Sequence, residues 1–66
     1  MKISYAIYIF IKLYSKRVIT AKQFAQELEI STRTVYRIID ELSLVLPIMS
    51  KGGRFGGFFL PKDYKI

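Results

Sequence analysis

The sequence predicts a mainly α fold of the α+β class, in which three helices are followed by a two-stranded β-hairpin. Two helix-start signals, at Thr20 and Ser31, each precede apolar residues at helical spacing. Pro47 then stops further helix, and a glycine-rich segment at 51–57 lies between two short apolar runs. At 66 residues the chain has the length of one domain, which we assign to 1–66.

The first segment, residues 4–15, fits two periodicities. Its apolar residues alternate as in a strand, and β-branched residues favour strands. An uninterrupted element of this length is nevertheless more typical of a helix, since strands average about 5–6 residues. We therefore predict a helix that is apolar nearly all round, with more than one face covered. Its main stripe is Ala6, Ile7, Phe10, Leu13 and Tyr14.

The second helix is predicted to start after Thr20. Segment 16–20 has the composition of a turn, and Thr20 followed by Gln23 is a capping-box pattern. A short break is expected at 29–30. The predicted inward residues are Phe24, Ala25 and Leu28.

The third helix is predicted over 32–43, with Ser31 as its N-cap. Residues at spacings of three and four divide it into two faces. The inward face is Val35, Ile38, Ile39 and Leu42. The outward face is Thr32, Arg33, Tyr36, Arg37 and Asp40.

The remaining residues predict a hairpin with strands at 48–50 and 56–60. The turn at 51–54 contains Gly-Gly, which suits positive φ, and Pro61 stops the return strand. Phe55, Phe58 and Phe59 are interpreted as core and hairpin packing residues, with an exposed contact by one of them as the alternative.

The charge balance points to an anionic partner. Eleven Lys and Arg residues stand against five Asp and Glu, which gives a net charge of +6. This excess on a small chain is expected of a phosphate-binding protein, although a generic solubilising surface is the alternative. No cysteine or histidine is present, so we predict no disulfide, no metal site and no cofactor.

Composition also argues against an enzyme and a membrane protein. The acids are Glu27, Glu29, Asp40, Glu41 and Asp63, and they form no recognisable nucleophile–base pair. No small-molecule ligand is evident.

The apolar N-terminal segment is shorter than the ~20 residues of a spanning helix, and it lacks a signal-peptide cleavage pattern. We therefore expect a cytoplasmic protein.

A helix, a tight turn and an N-capped helix with a basic outer face form a helix-turn-helix arrangement. The stretches TAKQFAQELEISTRTVYRIIDEL and LPIMSKGGRFGGFFL resemble the N-terminal winged helix-turn-helix domain of DeoR-like and WYL-domain bacterial transcriptional regulators. The resemblance implies a bacterial, phage or plasmid protein that binds double-stranded DNA as a repressor-like regulator. It places the third helix in the major groove of DNA. The basic hairpin at 48–60, called the wing, would lie on the DNA backbone or in the minor groove.

The same resemblance assigns the DNA contacts. Arg33 and Arg37 can read guanine with two hydrogen bonds each, or they form a solvated helix face. Tyr36 contacts a phosphate or sugar, or it covers the edge of the core. The assigned third-helix residues are Ser31, Thr32, Arg33, Thr34, Tyr36 and Arg37. The second helix start contributes Thr20 and Lys22, and the wing contributes Lys51 and Arg54.

Two departures from the family pattern lead to further expectations. Glu29 stands where the family often has Gly, so we expect a slightly different turn, because positive φ disfavours a residue with a side chain. Ile38 stands where an acid is usual, and with the apolar first helix it indicates additional buried contact. We interpret this as a homodimer through the first helix, with its seam at Tyr5, Tyr8, Ile9 or Lys12.

Relatives of this kind also carry a large effector domain after the wing. This chain is therefore interpreted as a stand-alone miniature regulator or as a domain cut from a longer protein. A winged helix used for protein–protein interaction, in a transcription, replication or defence complex, is the alternative function.

Overall fold

The computed structural model describes residues 3–15, 17–53 and 56–65, and within them three helices precede two strands. The helices are α1 (Ile3–Tyr14), α2 (Ala21–Leu28) and α3 (Thr32–Leu42). The strands are β1 (Met49–Lys51) and β2 (Gly57–Phe59). This order confirms the predicted mainly α winged helix-turn-helix.

Helix α1 confirms the helical interpretation of the first segment but corrects its buried stripe. The buried residues are Ala6, Ile9 and Leu13, at spacings of three and four, so that Ile9 takes the place assigned to Ile7. Ile7 is 52% exposed. Ile3 and Ile11 are also exposed, so this side of α1 is uncovered in the single chain, and the coverage of a further face stays a prediction. Because α1 is apolar on nearly every side, its sequence alone does not indicate which stripe packs against the rest of the chain.

The caps of α2 and α3 form as predicted. The Thr20 hydroxyl accepts from the Gln23 amide nitrogen at 3.1 Å, and the Gln23 side-chain oxygen accepts from the Thr20 amide at 2.9 Å. The Ser31 hydroxyl accepts from the Thr34 amide at 3.1 Å. Each cap satisfies a backbone donor that the first helical turn leaves unpaired.

The turn between α2 and α3 corrects an expectation. Glu29 adopts the left-handed conformation, with φ 56° and ψ 45°, that glycine ordinarily supplies, so the turn is not altered by the side chain. The Glu29 and Ile30 amides both donate to the Ala25 carbonyl, which closes the helix end. Ala25 itself is buried, and α2 packs against α3 across this turn.

The hairpin pairs β1 and β2 in antiparallel register, with Ser50 opposite Phe58 and Lys51 opposite Gly57. The two strands lie within one residue of the predicted 48–50 and inside the predicted 56–60. One element was missed. Ile19, in the segment predicted as a turn, forms an antiparallel bridge with Phe58 and so ties the wing to the start of α2. A single bridged residue is too short for alternation to reveal it.

The core is formed by all three helices, the bridge and the residue after β2. The additional buried contact expected of Ile38 is confirmed, because Ile38 is 1% exposed, and it lies within this chain's own core. The buried hydrophobic residues are Ala6, Ile9, Leu13, Ile19, Ala21, Phe24, Ala25, Val35, Ile38, Ile39 and Leu60. Across the described ranges, no helix has the length and apolar character required to cross a membrane.

Candidate nucleic-acid interface

The outer face of α3 presents four of the predicted contact residues. Successive residues and those one turn later share a face of a helix, and the exposed residues Thr32, Arg33, Tyr36 and Arg37 follow this spacing. The opposite face is anchored, because Val35, Ile38 and Ile39 are buried. The anchoring fixes the rotation of α3, so the two arginines project from the same side of the molecule.

The two hydroxyls at the start of α3 are engaged with each other. The Ser31 and Thr34 hydroxyl oxygens lie 3.0 Å apart, in addition to the cap between Ser31 and the Thr34 amide. Thr34 is half-buried, whereas Ser31 is exposed. The first turn contains no acidic residue, and this is also true of α2. Both helix starts therefore keep the partial positive charge that suits an anion.

The wing and the helices enclose one shared hollow. The structure brings together Thr20 at the start of α2, Tyr36 on α3 and Lys51 on β1, all lining this hollow. Its remaining lining is Ala21, Ser50, Gly52, Gly53, Gly56, Gly57 and Phe58. Three of the sequence-predicted contact residues, from three separate segments, thus lie around a single concave surface.

The other predicted residues lie outside this hollow. Lys22 is exposed on α2 but does not line it. Arg37 borders a separate hollow with Thr34, Ile38 and two acids, Asp40 and Glu41. Asp40 and Glu41 thus place negative charge beside Arg37. Arg54 lies outside the described residues.

Tyr36 joins α3 to the wing. Its ring centroid lies 5.8 Å from that of Phe58 at an interplanar angle of 76°, an edge-to-face contact. Tyr36 is nevertheless 52% exposed. The two sequence interpretations of Tyr36 are therefore compatible, because one part of the ring packs and the other part is open to a ligand.

Sequence reasoning missed Ser50 and underestimated Phe58 as members of this surface. Phe58 was interpreted as a packing residue, with an exposed contact left open for one of the three phenylalanines, and Ser50 received no role. Their placement depends on the hairpin register, which pairs Ser50 with Phe58. The glycine-rich turn allows several loop lengths, so the sequence carries no signal that fixes this register. Among the described residues, no three His, Cys, Asp or Glu side chains are grouped so that they could hold a metal ion.

Comparison with known families adds one finding. The model of a family described as "HTH domain", where HTH stands for helix-turn-helix, matches residues 4–59. This range includes nearly all of α1 and the whole of α2, α3, β1 and β2. No curated protein and no solved structure shows significant similarity to the chain.

Proposed function

Because the chain belongs to the helix-turn-helix domain family, we propose that it is a double-stranded DNA-binding transcriptional regulator with a repressor-like action. Family membership supports DNA binding and transcription regulation as the class of function. The observation that carries the proposal is the basic outer face of α3, where Arg33 and Arg37 are exposed opposite a buried anchoring face. A net charge of +6 agrees with a phosphate-rich partner. Such a role would place the protein on the nucleoid of a bacterial cell.

In the proposed complex, α3 lies in the major groove. Arg33 and Arg37 read base edges, since a guanidinium bonds guanine O6 and N7 together. Thr32, Tyr36 and the helix start at Ser31 and Thr34 contact phosphates and sugars. These contacts set the register of the helix on the duplex and leave the discrimination between bases to the arginines.

The second set of proposed contacts binds the phosphate backbone of the DNA. Thr20 and Lys22 at the start of α2 bind a phosphate, and Lys51 on the wing binds the backbone or enters the minor groove. The shared hollow supports this arrangement, because Thr20 and Lys51 both line it. Arg54 is retained in the proposal by its position in the wing sequence.

The proposal includes a homodimer, which would read a palindromic site with half-sites about 34 Å apart. Of the residues first expected at the seam, Ile9 is wrong, because it is fully buried in this chain's own core. Tyr5, Tyr8 and Lys12 are half-buried on α1, and their place at a seam stays a prediction. Exposed apolar side chains instead border a groove between α1 and the segment after α3, and we place the pairing surface there. Its exposed apolar members are Ile3, Ile7 and Val45.

The DNA proposal is tested by fluorescence anisotropy with random-sequence duplex DNA at a series of salt concentrations. Neutralised phosphates release counterions, so log affinity should fall against log salt with a slope of about −0.9 per phosphate contact. A folded sample that does not bind at low salt would contradict the proposal.

Two matched variants then separate base reading from backbone binding. Arg37→Ala should lower the preference for a selected operator over random DNA, because a bidentate arginine discriminates by about 1–3 kcal/mol. Lys22→Ala should lower the affinity for all DNA sequences alike. The slope of log affinity against log salt should become shallower by about one phosphate contact. Unchanged affinity in both variants would show that the assigned residues are wrong.

The dimer is tested by sedimentation equilibrium at high micromolar protein. Val45→Lys should shift the population towards monomer, because Val45 is 77% exposed in the single chain and would become buried in the pair. Val18→Lys is the matched control, since Val18 is 42% exposed and does not line the groove. A wild-type chain that stays monomeric would exclude the homodimer.

The same exposed groove favours one alternative function, a winged helix that binds another protein. A contiguous apolar patch of this kind is a common feature of interaction surfaces. This alternative becomes the leading proposal if the folded chain shows no DNA binding at low salt.

A further inference from the structure

Phe58 occupies the junction of three segments assigned to DNA contact. Its amide donates to the Ile19 carbonyl at 2.8 Å, and its carbonyl accepts from the Ile19 amide at 3.0 Å. Ile19 directly precedes Thr20, the N-cap of α2. The backbone of Phe58 therefore fixes the wing strand against the start of α2, independently of its side chain.

The side chain of Phe58 reaches the third segment. Its ring meets the Tyr36 ring edge to face at 5.8 Å, and Phe58 is itself half-buried against the core. Tyr36 is 52% exposed, so much of its surface is left without neighbours in the free protein. The Phe58 contact limits the orientations of a ring that would otherwise sample several rotamers.

We propose that Phe58 is a positioning residue: it holds the Tyr36 ring in its DNA-contacting orientation and couples the wing to α3. The inference rests on the proposed DNA-binding function and deepens it. Ordering a side chain on binding lowers affinity, and a ring that is already ordered avoids that loss. Phe58 thus increases DNA affinity through Tyr36.

The experiment is a double-mutant cycle on duplex DNA affinity with Phe58→Leu, Tyr36→Ala and the double variant. Leucine keeps an apolar side chain but removes the ring that meets Tyr36. Phe58→Leu alone should weaken binding by roughly 3- to 10-fold, the range expected for ordering one side chain. In the Tyr36→Ala background the same substitution should have little further effect, because the residue through which Phe58 acts is gone.

Matched controls separate positioning from general destabilisation. Phe59→Leu makes the identical change at the neighbouring residue, whose side chain points to the other face of the hairpin. It should leave DNA affinity within twofold of wild type when both variants are folded. Phe58→Tyr retains the ring and should restore most of the affinity that Phe58→Leu loses.

A spectroscopic measurement checks the contact directly. In the wild type, the ring current of the adjacent Phe58 should change the NMR chemical shifts of the Tyr36 ring protons. Phe58→Leu should abolish this change in chemical shift, whereas Phe59→Leu should preserve it. The inference is overturned if Phe58→Leu binds DNA as wild type does, or if its loss is equally large in the Tyr36→Ala background. A folded wild-type chain that does not bind DNA at low salt would overturn the proposed function, and this inference with it.

Discussion

Ile19 and Phe58 exchange two backbone hydrogen bonds, with N···O distances of 3.0 and 2.8 Å. The pair joins the segment before α2 to the return strand of the hairpin, and Phe58 also lines the hollow that Thr20, Tyr36 and Lys51 line. The wing is consequently not an independent ribbon. An isolated two-stranded hairpin is marginal in water, and this third pairing partner holds it against the helices.

The close approach at this bridge makes Gly57 a stability determinant. A Cβ on Gly57 would lie 2.7 Å from the carbonyl carbon and oxygen of Ile19, and neither backbone atom can rotate away. We expect Gly57→Ala to lower the free energy of unfolding by about 1–3 kcal/mol, the usual effect of overpacking. Urea denaturation followed by circular dichroism measures this loss.

Gly52→Ala is the matched control for Gly57→Ala. A Cβ at Gly52 would meet nothing within 4 Å, and Gly52 does not have positive φ. Its unfolding midpoint should be unchanged or slightly raised, because alanine restricts the unfolded chain. Equal losses from the two substitutions would show that glycine content, and not the contact with Ile19, sets the stability of the wing.

The sequence allowed the helices to be predicted because their signals are local. Thr20 with Gln23, and Ser31 with Thr34, lie three residues apart, and each cap depends only on that spacing. The outer face of α3 was predictable for the same reason, since residues such as Arg33 and Arg37 are related by helical periodicity.

The parts that were not predictable depend on contacts between distant residues. The Ile19–Phe58 bridge joins positions almost forty residues apart, and neither residue carries a signal for the other. The buried stripe of α1 likewise depends on which face α3 and β2 cover. Local propensity cannot choose between Ile7 and Ile9, because both are apolar and β-branched.

Glu29 provides a second test of stability. Because Glu29 has φ 56°, a conformation that costs a residue with a Cβ about 1–2 kcal/mol, Glu29→Gly should raise the free energy of unfolding by up to roughly that amount. The same replacement three residues earlier, Gln26→Gly, should lower it by about 1 kcal/mol, since Gln26 lies inside α2. Thermal or urea unfolding measures the change in the free energy of unfolding in both variants. A lower free energy of unfolding in Glu29→Gly would contradict the strain argument.

Ser31 allows helix capping to be separated from DNA contact. Ser31→Ala removes the acceptor for the Thr34 amide and should cost about 0.5–2 kcal/mol of stability. Ser31→Asp keeps a good N-cap and should retain that stability, but it places a carboxylate where we propose a phosphate to bind. Its DNA affinity should therefore fall below that of wild type. Undiminished affinity in a folded Ser31→Asp protein would exclude DNA from the start of α3.

The hydrogen bond between Tyr8 and Glu27 predicts a pH dependence at alkaline pH. The Tyr8 hydroxyl donates to the Glu27 carboxylate, and this bond raises the pKa of Tyr8 above its ordinary value of 10.0, with smaller contributions from desolvation and from the Glu27 charge. The bond links α1 to α2, so its stabilising effect is present below pH 10 and is lost as the pH rises through the raised pKa. The deprotonated phenol can no longer donate, and it is then repelled by the carboxylate.

Glu27→Gln should therefore lower the pKa of Tyr8 towards its ordinary value. An NMR titration of the Tyr8 ring resonances measures the change, and Tyr8→Phe identifies those resonances among the five tyrosines. Glu29→Gln is the control, because it removes the same charge two residues further along without removing an acceptor of Tyr8. A Tyr8 pKa that does not move in Glu27→Gln, or that moves equally in Glu29→Gln, would show that general charge and not this hydrogen bond governs the titration.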